Sequence, residues 1–315
     1  MDLPTMDLKT TDLKTMNLQS VLHTLRKTVL LTSITSLVTF HAYAQTGNIT
    51  HSMSETKKIV SAGASVTELL IALGADNQLV GVDVTSVAPK GRSLPKVGYH
   101  RALSAEGLLA LEPSIIIGSD EMGPKPALTQ LKRAGVQVEV VDSSPTVAGL
   151  KHRIEQIAAL TRTQDKVAAL NNGIDEQVRS LGTNQPAKES AKKKVLFLLI
   201  HEGRPANVAG SGTTPDAIIN LAGGINPAAK QLNAYKPLSN EAIIEMQPDV
   251  ILVSGRSYKK MGGSDALLKA LPLLSATPAG QNKQFITIDG HALVGGLGLK
   301  SLSEAERINQ LLYAQ

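Results

Sequence analysis

Short continuous runs of apolar residues recur along the 315-residue chain and predict strands that are buried on both faces. Such strands are typical of parallel sheets, because helices cover both faces of these sheets and leave neither face to water. Five runs have this pattern, namely 114–120 (SIIIGSD), 136–142 (VQVEVVD), 195–200 (VLFLLI), 249–255 (DVILVSG) and 284–289 (QFITID).

Segments with helical spacing of apolar residues lie between these runs, so strands and helices are expected to alternate. The first such segment is LLIAL, and residues 65–68 (SVTE), at which it starts, have the spacing of a capping box. Gly74 follows the segment and is expected to end the helix. The alternation predicts an α/β fold.

An internal repeat divides the chain into two halves. Residues 103–121 (LSAEGLLALEPSIIIGSDE) align without a gap to residues 238–256 (LSNEAIIEMQPDVILVSGR). Each copy contains Leu-Ser-x-Glu, an apolar helix face, a proline and a buried strand. The helix is expected to end at Pro113 in one copy and at Pro248 in the other. The repeat favours two similar α/β lobes over one continuous sheet.

A single helix is predicted between the lobes. Apolar residues recur at helical spacing over residues 164–181, and at 1.5 Å per residue these residues would extend about 27 Å as a helix. The polar stretch that follows, up to the second sheet, is expected to be an exposed loop. We therefore expect an N-terminal lobe at 45–163, the linking helix at 164–182 and a C-terminal lobe at 183–315.

The first 44 residues have the pattern of a signal peptide. A basic pair precedes the apolar run 28–40 (TVLLTSITSLVTF), and Ala-Tyr-Ala at 42–44 has the small-x-small pattern of a cleavage site. No later segment approaches the roughly 20 apolar residues of a transmembrane helix, so no membrane insertion is expected. Without cysteine the chain has no residue for disulfides or a lipid anchor. These features predict a free periplasmic protein.

Composition argues against nucleic acid as a partner. The formal net charge of the chain is only +5, and aromatic residues make up 3% of it. The densest basic run, Lys192 to Lys194, lies in the polar loop without an aromatic residue nearby. We interpret it as a solvated charge run.

Four stretches resemble the helical-backbone class of periplasmic substrate-binding proteins that serve metal-chelate importers. They are 59–83 (IVSAGASVTELLIALGADNQLVGVD), 95–99 (PKVGY), 103–121 and 209–226 (AGSGTTPDAIINLAGGIN), and the resemblance extends over nearly all of the chain after the leader. Within this class, VGYHR at 97–101 is most similar to haemin-binding proteins of bacterial haem uptake. The resemblance implies two similar lobes with central parallel sheets, haem as the transported ligand, and an inner-membrane ABC permease dimer as partner. Cobalamin or a ferric siderophore is the alternative cargo.

The haem interpretation assigns Tyr99 as the iron ligand and Arg101 as its support. Ferric iron favours anionic oxygen, and tyrosine phenolate is a known ligand of haem iron. A free phenol ionises only near about pH 10, so the metal and a nearby cation must favour the phenolate. Two residues along an extended segment return to the same side, which places Arg101 near the Tyr99 oxygen or a haem propionate. The alternative for Tyr99 is a half-buried residue that packs a loop.

His201 follows the strand 195–200 directly, at the carboxyl end where α/β lobes bind ligands. It either binds iron or caps the strand end. As a ligand it would bind the opposite side of one haem or a second haem, and the sequence leaves this choice open. His100 and His291 are expected to be solvated.

Several further residues are expected in loops beside the cleft, where they would meet the propionates or cover the porphyrin. They are Arg256, Lys125, Tyr235, Tyr258, Met122 and Met261.

Glu106 and Glu241 hold equivalent positions in the repeat, just after Ser104 and Ser239. A serine cap followed by an acidic residue in the first helical turn is favourable in itself. The resemblance implies an additional role, since a glutamate on each lobe of these proteins docks on the permease.

A hydrolytic α/β enzyme is the competing class of function. The sequence has no G-x-S-x-G elbow, because position 67 is threonine, and we interpret Ser65 as a helix cap. It also has no phosphate-binding loop and no H-E-x-x-H helix. No organised catalytic set is found, so we expect a binding protein.

Overall fold

A computed structural model of the protein describes residues 56–200 and 206–313. The predicted signal peptide at 1–44 lies outside the described residues. The described part forms two similar α/β lobes with central, mainly parallel sheets, which confirms the predicted fold class. The expected lobe boundaries remain a prediction.

The first sheet has four parallel strands in the order β2-β1-β3-β4. Its strands are β1 (Ile59–Ala62), β2 (Leu79–Val82), β3 (Ile115–Gly118) and β4 (Gln137–Val140). The central pair is in register from Ile59 opposite Ile115 to Ala62 opposite Gly118. All strands point the same way, so their carboxyl ends lie on one edge of the sheet.

The second sheet is mixed and has the order β7-β6-β5-β8-β9. Its strands are β5 (Val195–Leu199), β6 (Asn207–Ala209), β7 (Tyr235–Pro237), β8 (Val250–Ser254) and β9 (Phe285–Ile288). The last two run parallel to β5, whereas β6 and β7 form an antiparallel extension on its other side. The three strands predicted from sequence in this lobe, β5, β8 and β9, are thus parallel, as expected, and the antiparallel extension lies outside the predicted runs.

All five predicted strands are present, within one or two residues of their predicted ends. Those in the middle of the sheets, such as β3 and β8, are almost entirely buried. The edge strands β4 and β9 are only partly covered, so the prediction of burial on both faces is wrong for them. An edge strand has a neighbour on one side only, which leaves part of its surface open.

Eleven helices of four or more residues occur in the described part of the chain, apart from short 3₁₀ turns. They are α1 (Ala64–Ala72), α2 (Ala105–Leu109), α3 (Lys125–Arg133), α4 (Val147–Thr161), α5 (Val167–Thr183), α6 (Thr214–Leu221), α7 (Asn240–Glu245), α8 (Gly255–Met261), α9 (Ser264–Ala270), α10 (Pro278–Gln281) and α11 (Leu299–Tyr313).

The predicted linking helix is α5, preceded by a 3₁₀ turn at Gln164–Lys166. It follows the first sheet and precedes the second along the chain. The C-terminal helix α11 also joins the lobes, because it packs against α1 of the first lobe, α6 of the second and α5 between them. Two long helices, rather than one, therefore connect the lobes.

The repeat predicted from sequence folds as the same local unit in both lobes. Ser104 accepts a hydrogen bond from the backbone N–H of Gly107 at the start of α2, and Ser239 accepts one from Ala242 at the start of α7, both at 3.3 Å. The residues before the two prolines, Glu112 and Gln247, have positive φ angles of 47° and 43°.

The start of α1 differs from the prediction. Its N-cap is Gly63, and no side chain caps it, so the capping box predicted at Ser65 is wrong. The Ser65 hydroxyl donates instead to the Gly295 carbonyl at 2.7 Å and accepts from Arg153 Nη1 at 2.9 Å. Gly74 follows the helix with a φ of 72°, as predicted.

A buried polar cluster joins α1 and α4 to the segment before α11. Arg153 on α4 is fully buried, and its Nη1 also donates to the Leu297 carbonyl at 3.2 Å. Glu68 on α1 accepts from the backbone N–H of Lys300, the second residue of α11, at 3.1 Å. A β-carbon at Gly298 would lie 2.0 Å from Glu68 Oε1, so only glycine allows this approach. A carboxylate at the N-terminus of α11 is favourable for its dipole.

Burial raises the pKa of Glu68 to about 7. The backbone N–H groups of Lys300 and Leu299 and the charge of Arg153 lower this pKa, but burial outweighs them. Since the folded chain holds this proton more tightly than the unfolded chain, ionisation costs stability. The free energy of unfolding is therefore expected to fall by up to about 3 kcal/mol as the pH rises from 4.5 to about 7. Denaturant titrations at several pH values measure it.

In Glu68→Gln this fall of the free energy of unfolding with rising pH should disappear. The control is Glu155→Gln, which changes an exposed glutamate on α4. Because the pKa of His100 is raised, the free energy of unfolding also falls with rising pH from about pH 6.5 upward. Each variant is therefore compared with the parent protein at every pH. Parallel curves for the parent and Glu68→Gln would contradict the assignment.

Candidate functional site

Tyr99 lies in the loop between β2 and α2, and 43% of its surface is exposed. Gly98, just before it, has a φ of 90°, a conformation that favours glycine. The backbone N–H of Val84 donates to the Gly98 carbonyl at 2.9 Å, and that of Gly123 donates to the His100 carbonyl at 2.9 Å. The loop is thus attached on both sides of Tyr99, which leaves the phenol facing outward.

His100 points inward and is 1% exposed. Its ring centroid lies 4.3 Å from that of Tyr99, with an angle of 60° between the planes. Its Nδ1 lies 3.1 Å from Asp83 Oδ2, a hydrogen-bond distance. The expectation of a solvated His100 is therefore wrong, because a buried carboxylate draws the imidazole beneath the tyrosine.

Asp83 follows β2 directly and is fully buried. Its two oxygens also accept hydrogen bonds from the hydroxyls of Thr85 and Ser86. Burial alone would raise the pKa of Asp83, but the hydrogen bonds from His100, Ser86 and Thr85 lower it to about 2. Burial lowers the pKa of His100, yet Asp83 and Glu121 outweigh it and raise that pKa overall. The carboxylate and the imidazole thus each favour the charged form of the other.

Arg101 was expected to support Tyr99, and the structure pairs its guanidinium with the carboxylate of Glu121, after β3. The other oxygen of Glu121, Oε2, lies 3.5 Å from His100 Nε2. This distance suits an ion pair, and Nε2 makes no hydrogen bond. Glu121 thus lies between the cation of Arg101 and the imidazole of His100.

Tyr235 begins strand β7 rather than lying in a loop as expected. Its ring packs edge to face with Phe197, at a centroid distance of 6.4 Å. Although 39% of the residue is exposed, burial of the hydroxyl raises the pKa of Tyr235. The charge of Glu121 raises this pKa further, and the charge of Arg101 lowers it. The second lobe therefore places a tyrosine within electrostatic reach of the charges beside Tyr99.

The other residues expected beside the cleft differ in how far they are exposed. Lys125 is exposed at the start of α3, and Arg256 is exposed in the first turn of α8. Tyr258 and Met261, on α8, are partly buried against the core of the second lobe.

Met122 is 6% exposed and belongs to the core of the first lobe. Its sulfur packs so closely on β3 that a β-carbon at Gly118 would meet it at 2.4 Å. The expectation that Met122 covers a porphyrin face does not agree with this placement. His201, the second expected iron ligand, lies outside the described residues.

His291 is partly exposed, and its Nδ1 lies 2.7 Å from Asp289 Oδ1. It is therefore paired with a carboxylate rather than only solvated as expected.

Four residues near Tyr99 are not among those expected from the sequence, namely Asp83, Glu121 and two exposed valines, Val84 and Val87. The carboxylates follow β2 and β3 closely, and an acidic residue just after a buried strand is a usable signal, since ligands bind at that edge. Val84 and Val87 are 52% and 64% exposed, and Val84 pairs through its backbone with the residue before Tyr99. They offer apolar surface on the loop next to the phenol.

Glu106 and Glu241 are exposed, each at the second position of its helix after the capping serine. Hydrogen bonds from its own backbone N–H and from Ser239 lower the pKa of Glu241. The two positions are equivalent in the two lobes, as the repeat predicted.

A cavity of about 340 Å³ lies between Pro145 to Val147 of the first lobe and the start of α6 in the second. Its lining contains neither tyrosine nor histidine, and none of the expected site residues.

Among the helices of the described ranges, none has the length and apolar character of a membrane span. No group of three or more histidine and acidic side chains there is arranged to hold a metal ion.

Comparisons with known proteins show what the chain as a whole is similar to. The model of the periplasmic binding protein family matches residues 59–292. Among solved structures, the periplasmic haem-binding protein HutB of Vibrio cholerae is 59% identical, with a TM-score of 0.78, covering 82% of this chain and 100% of that one. A periplasmic haem-binding protein from Pseudomonas aeruginosa is 35% identical, with a TM-score of 0.76, covering 82% and 92%.

The curated vitamin B12-binding protein of Vibrio parahaemolyticus is also related. It is 24% identical over 216 residues, which are 68% of this chain and 77% of that protein.

Replacing Asp83 by Asn should destabilise the fold by about 3 kcal/mol, because His100, Thr85 and Ser86 would lose their buried anionic partner. The lowered pKa of Asp83 adds a pH signature. The ionised Asp83 stabilises the folded chain above pH 3.8, and this contribution to the free energy of unfolding is lost as the pH falls towards 2. The variant has no carboxyl group at this position and should not show that decrease. Denaturant unfolding monitored by circular dichroism measures both effects.

The matched control is Asp165→Asn, which alters an exposed ion pair with Lys166 and should change stability by less than about 1 kcal/mol. Equal stability of Asp83→Asn and the control would show that the buried pair does not hold the loop.

Proposed function

The chain belongs to the periplasmic binding protein family, and we propose that it binds haem in the periplasm and delivers it to an ABC importer. The observation that carries the proposal is the placement of Tyr99. Its phenol is exposed above the buried pair of His100 and Asp83, with Tyr235 of the second lobe near the same charges. The 59% identity with HutB of Vibrio cholerae supports haem as the cargo.

Tyr99 would bind the haem iron through its phenolate. Ferric iron prefers an anionic oxygen, and cations near the phenol favour its ionised form. Two basic side chains of the same loop are suited to this role. They are His100, whose ring packs on that of Tyr99 and whose pKa is raised, and Arg101, whose guanidinium pairs with Glu121. The first lobe thus supplies both the ligand atom and the charge that favours it.

The remaining contacts follow from the placement of the side chains. Arg101, Arg256 and Lys125 are exposed cations suited to propionates, and Tyr235, Tyr258 and Met261 are suited to the porphyrin faces. His201 is proposed as the second iron ligand or as ligand of a second haem. Val84 and Val87 add apolar surface next to Tyr99.

Cobalamin is the second candidate cargo, because the curated relative from Vibrio parahaemolyticus is a vitamin B12-binding protein. That relative shares 24% of its aligned residues with this chain, against 59% for HutB. Haem is therefore the better supported ligand, and a ferric siderophore has no comparable support.

We propose that the protein performs no chemistry on its cargo. Members of its family bind ligands, and the signal peptide predicted at 1–44 agrees with delivery to the periplasm. A permease dimer would be its partner, with Glu106 and Glu241 docking on one subunit each. Equivalent exposed carboxylates on two similar lobes suit a partner that has two similar subunits.

Tyr99→Phe tests the ligand assignment. The variant should bind haemin at least about tenfold more weakly, or about 1.4 kcal/mol, because the anionic oxygen is missing. The tyrosinate charge-transfer absorption should also disappear. Absorption spectra during a haemin titration measure both effects.

Tyr313→Phe is the control, since this tyrosine on α11 donates to the Gly223 carbonyl and has no place in the site. If Tyr99→Phe kept the parent spectrum and affinity, another residue would be the ligand.

The double variant Glu106→Gln and Glu241→Gln tests the docking assignment. It should bind haemin normally, because both residues are on helices and not on the loop that carries Tyr99, but haem-dependent growth through the importer should be lost. The matched control is Glu112→Gln with Glu245→Gln, two exposed glutamates close to the ends of α2 and α7. Uptake by the first variant at the rate of the control would disprove the assignment.

A further inference from the structure

A chain of buried hydroxyl groups runs from the first sheet to Asp83. Ser61 on β1 and Thr67 on α1 have their hydroxyl oxygens 2.7 Å apart, and the Thr67 hydroxyl donates to that of Ser86, also at 2.7 Å. Ser86 lies in the loop after β2 and donates in turn to Asp83 Oδ1. The three hydroxyl residues are at most 3% exposed, so the chain is shielded from water.

Thr67 has two acceptors within reach, and the distances show which one it favours. A threonine inside a helix commonly bonds to the backbone carbonyl one turn earlier, which here is that of Gly63. That contact is 3.3 Å long, whereas the contact with Ser86 is 2.7 Å, the usual length of a hydrogen bond between hydroxyl groups. The principal hydrogen bond of Thr67 therefore leaves its own helix and reaches the loop that contains Asp83.

Asp83 connects this chain to the loop that carries Tyr99. Its Oδ2 lies 3.1 Å from His100 Nδ1, and the His100 ring packs against that of Tyr99 with the centroids 4.3 Å apart. Thr85 donates to the same oxygen as His100 and leaves Oδ1 to Ser86. Because the two oxygens of a carboxylate belong to one rigid plane, the contact with Ser86 at Oδ1 determines where Oδ2 meets the imidazole.

The helix that carries Thr67 is a firm support for this chain. Leu69 and Leu70 of α1 are fully buried in the core. Ser65, near the start of α1, donates through its hydroxyl to the Gly295 carbonyl at 2.7 Å, in the segment that follows β9 of the second lobe. Thr67 thus ties the loop of the ligand site to a packed helix that also contacts the segment from the other lobe.

We propose that Thr67 is a positioning residue of the ligand site, which acts through Ser86 and Asp83 and fixes the loop that presents the Tyr99 phenol. This inference rests on the proposed haem-binding function. Thr67 is 1% exposed, so it acts without touching the ligand. Without its hydroxyl, Ser86 loses a donor and is free to turn, and the Asp83 carboxylate turns with it.

The alternative is a purely structural role, in which the Thr67 hydroxyl only stabilises the fold. Thr67→Val and Thr67→Ser separate the two roles. Valine has the shape of threonine but no hydroxyl, whereas serine keeps the hydroxyl and lacks the methyl group. Both variants should be less stable than the parent protein, yet only valine breaks the chain to Ser86. A structural role predicts that haemin affinity falls with stability in both variants, and a positioning role predicts that it falls with valine alone.

Absorption titrations with haemin measure the affinity. Thr67→Val should bind haemin about three- to tenfold more weakly, the effect of losing one hydrogen bond. Its tyrosinate charge-transfer band should also shift, because the phenol would meet the iron at a different angle. Thr67→Ser keeps the hydrogen bond and should stay within about twofold of the parent affinity.

The matched control is Thr161→Val, which removes another buried threonine hydroxyl from the first lobe. That hydroxyl donates to the Ile157 carbonyl within α4 at 2.8 Å. The control should lose stability, but its haemin affinity and charge-transfer band should equal those of the parent.

A second measurement needs no haem. The Tyr99 ring lies against the His100 imidazole, so the neighbouring aromatic ring shifts the NMR signals of the Tyr99 ring protons. In Thr67→Val these signals should move towards the values of free tyrosine, whereas in Thr67→Ser and Thr161→Val they should keep their parent positions. Tyr99→Phe assigns the signals, because they are missing from its spectrum.

Ser86→Ala breaks the same chain from the side of the loop, and it also serves if Thr67→Val does not fold. It should weaken haemin binding to a similar degree. The double variant Thr67→Val and Ser86→Ala should bind haemin no more weakly than Ser86→Ala alone, because both changes remove the same connection.

Parent-like haemin affinity of Thr67→Val would overturn the inference, as would equal losses in Thr67→Val and Thr67→Ser or additive losses in the double variant. Tyr99 signals that keep their parent positions in Thr67→Val would also contradict it. If the parent protein shows no spectral response to haemin, the proposed function fails, whereas the Tyr99 signals still decide whether Thr67 positions the loop.

Discussion

The site depends on one buried carboxylate. Asp83 leaves β2 with both oxygens inside the protein, and a buried charge is stable only when partners surround it. His100, Thr85 and Ser86 are those partners, and each belongs to a loop that must fold around Asp83 to reach it. Because His100 turns inward to meet Asp83, its neighbour Tyr99 is turned outward. The exposure of the phenol is thus a consequence of satisfying a charge beneath it.

A second polar cluster determines how the lobes are held together. Arg153 and Glu68 of the first lobe bind the segment that leads into α11, and α11 packs on both lobes. Large movement between the lobes would separate buried charged groups from their partners, and the loss of one partner of a buried charge costs about 3–5 kcal/mol. The spacing between Tyr99 and Tyr235 is therefore expected to vary little, unlike in proteins that close around a ligand at a flexible hinge.

Sequence predicts the features that follow from local pattern. β3 and β8 are identified correctly because a strand buried on both faces needs apolar residues at every position. β6 and β7 have three residues each, too few for a periodic signal, and so the antiparallel extension is not predictable. The position of Tyr99 in a loop and the repeat around Glu106 and Glu241 are local as well.

Side-chain roles that depend on distant partners are not predictable in this way. Ser65 has the spacing of a helix cap, but its partners Gly295 and Arg153 lie 230 and 88 positions away. His100 is adjacent to polar residues in sequence, and only the fold brings Asp83 and Glu121 to its two nitrogens. Met122 follows a strand like a cleft residue, but Gly118 leaves room beneath it and the side chain enters the core.

The charges at the site alternate from the interior to the surface in the order Asp83, His100, Glu121 and Arg101. Each carboxylate lies beside a basic side chain. Burial lowers the pKa of His100, but the two neighbouring carboxylates outweigh it and raise that pKa overall. Arg101 already has a carboxylate partner before a ligand arrives, so the affinity for an anionic ligand depends mainly on short-range contacts. Such contacts are lost as soon as the ligand moves by a few ångströms, which suits a protein that must release its cargo to another.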